Sequence, residues 1–100
     1  MRIKVFCNGG FSTSMLVTKM NEAAKNENLD VETKSYPTSE FLNEAETADV
    51  VLLGPQIGYE KDARVKQLAG RNIPIEIIPM ADYGLMDGKK VLDFALSLKK

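Results

Sequence analysis

One stretch near the N-terminus carries residues whose types and order could do chemistry: Cys7-Asn8-Gly9-Gly10-Phe11-Ser12-Thr13-Ser14. It contains the single thiol of the chain, two adjacent glycines and three hydroxyl side chains. A thiolate is a strong nucleophile, and thiols at helix N-termini ionise more readily than free ones. Glycine accepts φ > 0 without steric cost, so Gly9 and Gly10 allow the backbone to curl tightly. Ser12, Thr13 and Ser14 offer donors to an anion, and one of them is expected to cap the helix that follows. The chemistry this order suggests is a thiolate at Cys7 facing a phosphate cradle built from residues 8–14. A lone cysteine ending an apolar strand can also be a small core residue. A core cysteine has no need of two glycines and three hydroxyls after it, so the functional reading is favoured.

The flanking residues supply what such a loop needs. Ile3, Val5 and Phe6 read as a strand over 2–6, and Leu16, Met20, Ala23 and Ala24 recur at helical spacing over about 14–26. A strand that turns into a helix through small residues sets the loop amides at the helix N-terminus. There, unpaired N–H groups and the helix dipole attract phosphate. Asn28 is the expected stop. Residues 29–36 give a second strand of mixed polarity, an edge strand ended by Pro37. Thr38 or Ser39 can cap a short helix through Glu46 that turns Phe41, Leu42 and Ala45 inward. Val50-Val51-Leu52-Leu53 is a run apolar on both faces, the mark of a central parallel strand. A helix over about 59–69 carries Ala63, Val65 and Leu68 as its apolar positions, with Gly70 at its C′ position. Residues 73–78 make a fourth strand, 80–88 read as irregular, and Asp87 caps a last helix carrying Val91, Leu92, Ala95 and Leu98.

Strand and helix alternate four times with short connections. This predicts one domain over 1–100, an α/β fold with an open four-stranded parallel sheet and helices on both faces. In such sheets ligands bind outside the carboxyl ends of the strands, where strand order reverses. The loops 7–14, 54–59 and 79–87 should therefore converge, with Cys7 among them.

The totals narrow the function classes. The 100 residues carry a net charge of −1 and no basic cluster before the C-terminal pair, which argues against a nucleic-acid partner. No apolar run approaches the ~18 residues of a membrane span, and the N-terminus enters a strand directly, without a signal-peptide core. A single cysteine excludes an internal disulfide and fits a reducing cytoplasm. The chain has no histidine, which removes the commonest general base and metal ligand, so no metal or cofactor is expected.

With these residues laid out, the chain resembles the IIB component of the lactose/cellobiose (chitobiose) family of the phosphoenolpyruvate-dependent sugar phosphotransferase system. The similarity lies in Phe6-Cys7 followed by Gly10, Ser12-Thr13-Ser14 and Leu16-Val17. It continues in the run from Ala48 to Ile57 followed by Tyr59, and in Tyr83-Gly84 followed by Asp87-Gly88. The resemblance implies a cytoplasmic, monomeric phosphocarrier without membrane insertion. In it Cys7 becomes phosphocysteine by accepting phosphate from a phosphohistidine of the IIA component. It then passes the group to a sugar bound by the membrane component IIC. The phosphate loop maps onto Asn8, Gly9, Gly10, Phe11, Ser12, Thr13 and Ser14. Phe11 stands where family members often carry methionine, which bears on partner docking. A chain without histidine cannot store phosphate as phosphohistidine, whereas a cysteine thiolate can attack one presented by a partner.

Two rivals make different demands. A low-molecular-weight-type cysteine phosphatase has a similar strand–loop–helix arrangement but needs an arginine six residues after the cysteine to fork the phosphate. That position is Thr13, and the arginines are Arg2, Arg64 and Arg71. A non-catalytic flavin- or phosphate-binding module would use 8–14 as its phosphate loop and needs aromatic walls, for which Tyr59 and Tyr83 are the candidates. Gln56, Tyr59 and Tyr83 are read as structural or interfacial residues.

Overall fold

The computed structural model describes residues 1–8 and 11–99, and for Phe11 and Ser12 the backbone alone. Strand β1 (Arg2–Cys7) leads to helix α1 (Phe11–Asn26), then β2 (Glu32–Pro37), a 3-10 turn, short helix α2 (Phe41–Glu44) and a second 3-10 turn. Strand β3 (Val50–Leu53) follows, then a 3-10 segment (Pro55–Glu60), α3 (Lys61–Gln67), β4 (Ile75–Ile77), α4 (Met80–Gly84) and α5 (Gly88–Leu98). The strands form a four-stranded sheet in the order β2-β1-β3-β4, and every pairing is parallel. This is the open parallel sheet expected, with β2 at an edge.

Alternation along β1 divides the core in two. Ile3 and Val5 pack with Leu16, Met20 and Ala24 of α1 and with Val91, Leu92 and Ala95 of α5. Phe6 faces the other way, toward Phe41 on α2 with ring centroids 4.9 Å apart, in a cluster that includes Val51, Leu53, Ile57 and Leu68. Helices therefore cover both faces, and the four residues of β3 are fully buried between them. Lys4 shares the second face and is 7% exposed. Its ammonium donates to the Glu44 carbonyl at 2.9 Å, to the Glu44 carboxylate at 3.0 Å and to the Thr47 hydroxyl at 2.6 Å. A buried ammonium needs all its protons accepted, and here the three bonds pin α2 to the sheet. The phenol of Tyr36, beside this pair, is raised above its ordinary range by burial first and then by the Glu44 carboxylate.

The edge is managed from within. On the open side of β2 the Asn21 carboxamide donates to the Thr33 carbonyl and accepts from the Thr33 amide, both at 2.9 Å. It occupies backbone groups that would otherwise recruit a foreign strand.

Several expectations shift. Helix α1 begins at Phe11, three residues before the expected start at 14, so Ser12, Thr13 and Ser14 lie inside the helix rather than at the position before it. Asn28 does end α1, in the left-handed region at φ 57°, with the Leu29 amide bonded back to the Ala24 carbonyl. That bond commits Leu29 to the helix end and delays β2 to Glu32. Leu42 is exposed, because α2 is a single turn whose one inward residue is Phe41. On α3, Ala63 and Val65 face solvent, and the third expected apolar position, Leu68, is buried just past the helix end. The inward place is taken by Arg64, whose guanidinium lies 4.6 Å from the Phe41 ring. Residues 80–88 are not wholly irregular: α4 forms after Pro79, whose carbonyl accepts from the Tyr83 amide. Asp87 caps α5 as expected, its carboxylate accepting from the Lys90 amide at 3.1 Å.

Candidate functional site

In this strand order β1 and β3 are neighbours whose following segments leave toward opposite faces. Residues after β1 enter α1 on one side, and residues after β3 enter α3 on the other. The crevice between their carboxyl ends is the switch point of an open α/β sheet. Cys7, the last residue of β1, stands at that point, 5% exposed, opposite Pro37 in the register with β2. Only residues 8–10 separate it from the first turn of α1. The first N–H groups of a helix have no intrahelical partner, and in α1 they include those of Phe11, Ser12 and Thr13.

On the β3 side the ladder continues one residue past the strand, with the Gly54 amide donating to the Phe6 carbonyl at 2.9 Å. A Cβ at Gly54 would stand 3.2 Å from the Cys7 Cβ and 3.0 Å from Oε1 of Gln56. Gly54 thus leaves the space beside the thiol, and the Gln56 carboxamide borders it. Gly54→Ala is expected to slow modification of Cys7 by a phosphoryl donor, and crowding against the Cys7 Cβ should lower stability in a denaturant melt by about 1–3 kcal/mol. Gly54 has φ −60° and ψ 148°, which alanine adopts without strain. Labelling at the wild-type rate would show that the thiol does not use that space.

The third segment arrives from β4. Tyr83 on α4 is 8% exposed and its hydroxyl lies 2.9 Å from the Thr13 hydroxyl, itself on a residue 1% exposed. The side chain expected to serve the phosphate loop is therefore turned inward to a phenol, while its residue remains in the first turn of α1. Ser14 and Asn8 are exposed. Gly9 and Gly10 lie outside the described residues, as do the side chains of Phe11 and Ser12. All three expected loops thus contribute: Cys7 and Thr13 from the first, Gly54 and Gln56 from the second, Tyr83 from the third. Tyr59 is 78% exposed, on the second. The Thr13–Tyr83 pair and the role of Gly54 could not be read from sequence. The paired hydroxyls are 70 residues apart, and nothing in their spacing joins them.

Among the described residues no group of three or more His, Cys, Asp and Glu side chains could hold a metal. A groove of about 250 Å³ lies away from the crevice, over Arg2, Lys4, Lys34, Tyr36 and Glu44, where Lys4 is already fully bonded.

A family model described as "PTS system, Lactose/Cellobiose specific IIB subunit" matches residues 2–94. The chain belongs to this phosphotransferase-system family. Its relatives include the oligo-beta-mannoside-specific EIIB component of Bacillus subtilis (strain 168), 39% identical over 97 residues, covering 97% of this chain and 94% of that one. The cellobiose-specific EIIB component of Lactococcus lactis subsp. lactis (strain IL1403) is 38% identical, covering 96% and 94%. The galactose-specific EIIB component of Lactococcus lactis subsp. cremoris (strain MG1363) matches at 38%, with the same shares. Among solved structures, the cellobiose-specific IIB component from Borrelia burgdorferi superposes with TM-score 0.80 at 37% identity, covering 98% of this chain and 90% of that one. The lactose-specific IIB domain from Streptococcus pneumoniae gives TM-score 0.91 at 20% identity, covering 100% and 98%, a likeness of fold. This IIB chain is thus a phosphotransferase component of sugar transport, and IIB components work with IIA and IIC partners. No helix among its described residues is long and apolar enough to cross a membrane.

Proposed function

We propose that this IIB chain is a phosphoryl carrier in which Cys7 takes phosphate from a phosphohistidine of IIA and gives it to a sugar held by IIC. The observation that carries the reading is the position of the single thiol of the chain: it ends β1 at the switch point, four residues before α1 begins. In the first transfer the Cys7 thiolate attacks phosphorus. The S–P bond forms as the N–P bond breaks, and the electron pair stays on the imidazole of the donor. In the second a sugar hydroxyl attacks phosphorus. The O–P bond forms, the S–P bond breaks, the thiolate returns, and the hydroxyl proton leaves to a base on the partner. Residues 8–14 surround the phosphoryl group, with the first-turn amides of α1 set against its charge.

Partners dock over the carboxyl end of the sheet, since both transfers must exclude water there. Met15, Tyr59, Met80 and Leu85, all exposed, lie on the segments that follow β1, β3 and β4. The sugar belongs to the lactose/cellobiose class and is chosen by IIC. Three relatives at nearly equal identity carry three different sugar names, as suits a carrier that does not read the sugar. Residues 1–100 act as one cytoplasmic, monomeric domain. The test is site-resolved mass spectrometry after incubation with a complete phosphoenolpyruvate-driven chain, under conditions that preserve the S–P bond. Phosphate on Cys7 is expected. Phosphate confined to Ser12, Thr13 or Ser14 would overturn the reading.

A further inference from the structure

We infer that Tyr83 is a positioning residue for phosphoryl transfer, acting through the Thr13 hydroxyl to fix the first turn of α1 against Cys7. The inference rests on the carrier reading above and adds to it the device that holds the loop in register.

Thr13 and Tyr83 are both buried and their hydroxyls are 2.9 Å apart. Thr13 is the third residue of α1, so its backbone carries one of the N–H groups that a phosphoryl oxygen would meet. Removing either hydroxyl leaves the other buried without that partner, so the pair works as a unit.

The segment bearing Tyr83 is itself firmly held. The Tyr83 amide donates to the Pro79 carbonyl, and the Tyr83 carbonyl accepts from the Met86 amide, each at 3.0 Å. Five residues on, Gly88 opens α5 directly against the backbone of α1. A Cβ there would stand 2.5 Å from the Lys19 carbonyl carbon and 2.7 Å from the Met20 amide nitrogen. The 79–88 segment therefore grips α1 at two points, by glycine contact at residues 19–20 and by the phenol at residue 13. The first fixes the helix body and the second its N-terminal turn. Transfer depends on the placement of amides against developing charge, and a displacement of about 1 Å can cost on the order of 10²-fold in rate.

The experiment compares Tyr83→Phe, Thr13→Val, Thr13→Ser and the Tyr83→Phe/Thr13→Val double variant, each in the full chain. Initial rates of Cys7 labelling from a phosphorylated IIA are read well below the melting temperature, with the phosphorus NMR shift of the phosphocysteine. Tyr83→Phe and Thr13→Val should each transfer about tenfold more slowly, with a displaced phosphorus resonance, and the double variant no more slowly than the slower single. Thr13→Ser, which keeps the hydroxyl, should stay within about threefold of wild type. If Tyr83→Phe does not fold, the Thr13→Val and Thr13→Ser pair decides alone. Losses below about threefold in both hydroxyl-deleting variants, or Thr13→Ser as slow as Thr13→Val, would overturn the inference. Amide hydrogen exchange at Phe11–Ser14 in the unphosphorylated protein gives an arm that needs no donor. Faster exchange in Tyr83→Phe and Thr13→Val, but not in Thr13→Ser, supports positioning; unchanged exchange in all three overturns it. Absence of any Cys7 label in wild type would defeat the carrier reading separately, with the exchange arm still deciding this one.

Discussion

Cys7→Ser is expected to fold like the parent and to accept no phosphate from phosphorylated IIA. The substitution exchanges sulfur for oxygen at a residue 5% exposed at the end of β1, where the strand pairings on either side are made by backbone and persist. Its cost to folding is that of burying one more hydroxyl, about 1–3 kcal/mol at most if it finds no partner. Its cost to chemistry is far larger. A serine hydroxyl is a weak nucleophile until an adjacent base removes its proton, and this chain has no histidine to act as one. Cysteine needs no such base, since a fraction of thiol is ionised at neutral pH and thiolate is intrinsically nucleophilic. The check is intact-mass analysis after donor incubation beside a denaturant melt of the same sample. A fully labelled serine variant would remove Cys7 from its role, whereas an unlabelled variant with a collapsed melt calls for Cys7→Ala as the second measurement.

What the sequence discloses here follows the range of each signal. The switch point was legible because it depends on the order of elements, and the alternation from Ile3 to Val91 sets that order with short-range patterns. β3 was legible because four consecutive large apolar residues can be satisfied only in a doubly covered strand. Errors gather where tertiary contact overrode local preference. Ser12, Thr13 and Ser14 look like caps, yet α1 starts upstream of them and Thr13 spends its hydroxyl on Tyr83. Val65 has the period of a core residue, yet the inward place on α3 belongs to Arg64, whose guanidinium lies over the Phe41 ring. Lys4 interrupts an apolar strand, and nothing in its neighbourhood of sequence marks it as buried. Its burial depends on acceptors from Glu44 and Thr47, some 40 residues away. Each of these needs a partner that no window of ten or fifteen residues contains.

Once formed, phosphocysteine on this chain is expected to outlast the transfer steps by a wide margin. Rapid hydrolysis of a phosphocysteine requires a clamp for the equatorial oxygens and a group to activate water. An arginine in that clamp is worth on the order of 10³–10⁵ in rate in other phosphoryl-transfer enzymes. The three arginines here are elsewhere. Arg64 gives Nε and Nη2 to the Glu60 carboxylate, at 3.1 and 2.8 Å, and Nη1 to Gln67 at 3.0 Å. Arg71 pairs with Glu46 at 2.9 Å. Arg2 begins β1 at the end of the sheet opposite Cys7, about 16 Å away by strand rise. The position an arginine would take in a phosphatase loop is Thr13, and its hydroxyl is paired with Tyr83. Asp82 or Asp87 could by sequence imitate a general acid, but Asp87 caps α5 through the Lys90 amide and Asp82 lies in the first turn of α4. What the first turn of α1 offers, helix amides and the exposed Ser14 residue, favours holding a dianion over delivering water to it. Phosphorylated protein freed of donor and acceptor should therefore keep its phosphorus resonance for many times the transfer half-time, and the chain should not turn over an aryl phosphate. Decay within seconds, matched by aryl phosphate turnover, would make the chain a phosphatase and defeat the carrier assignment, because a carrier that hydrolysed its cargo at that rate would deliver none.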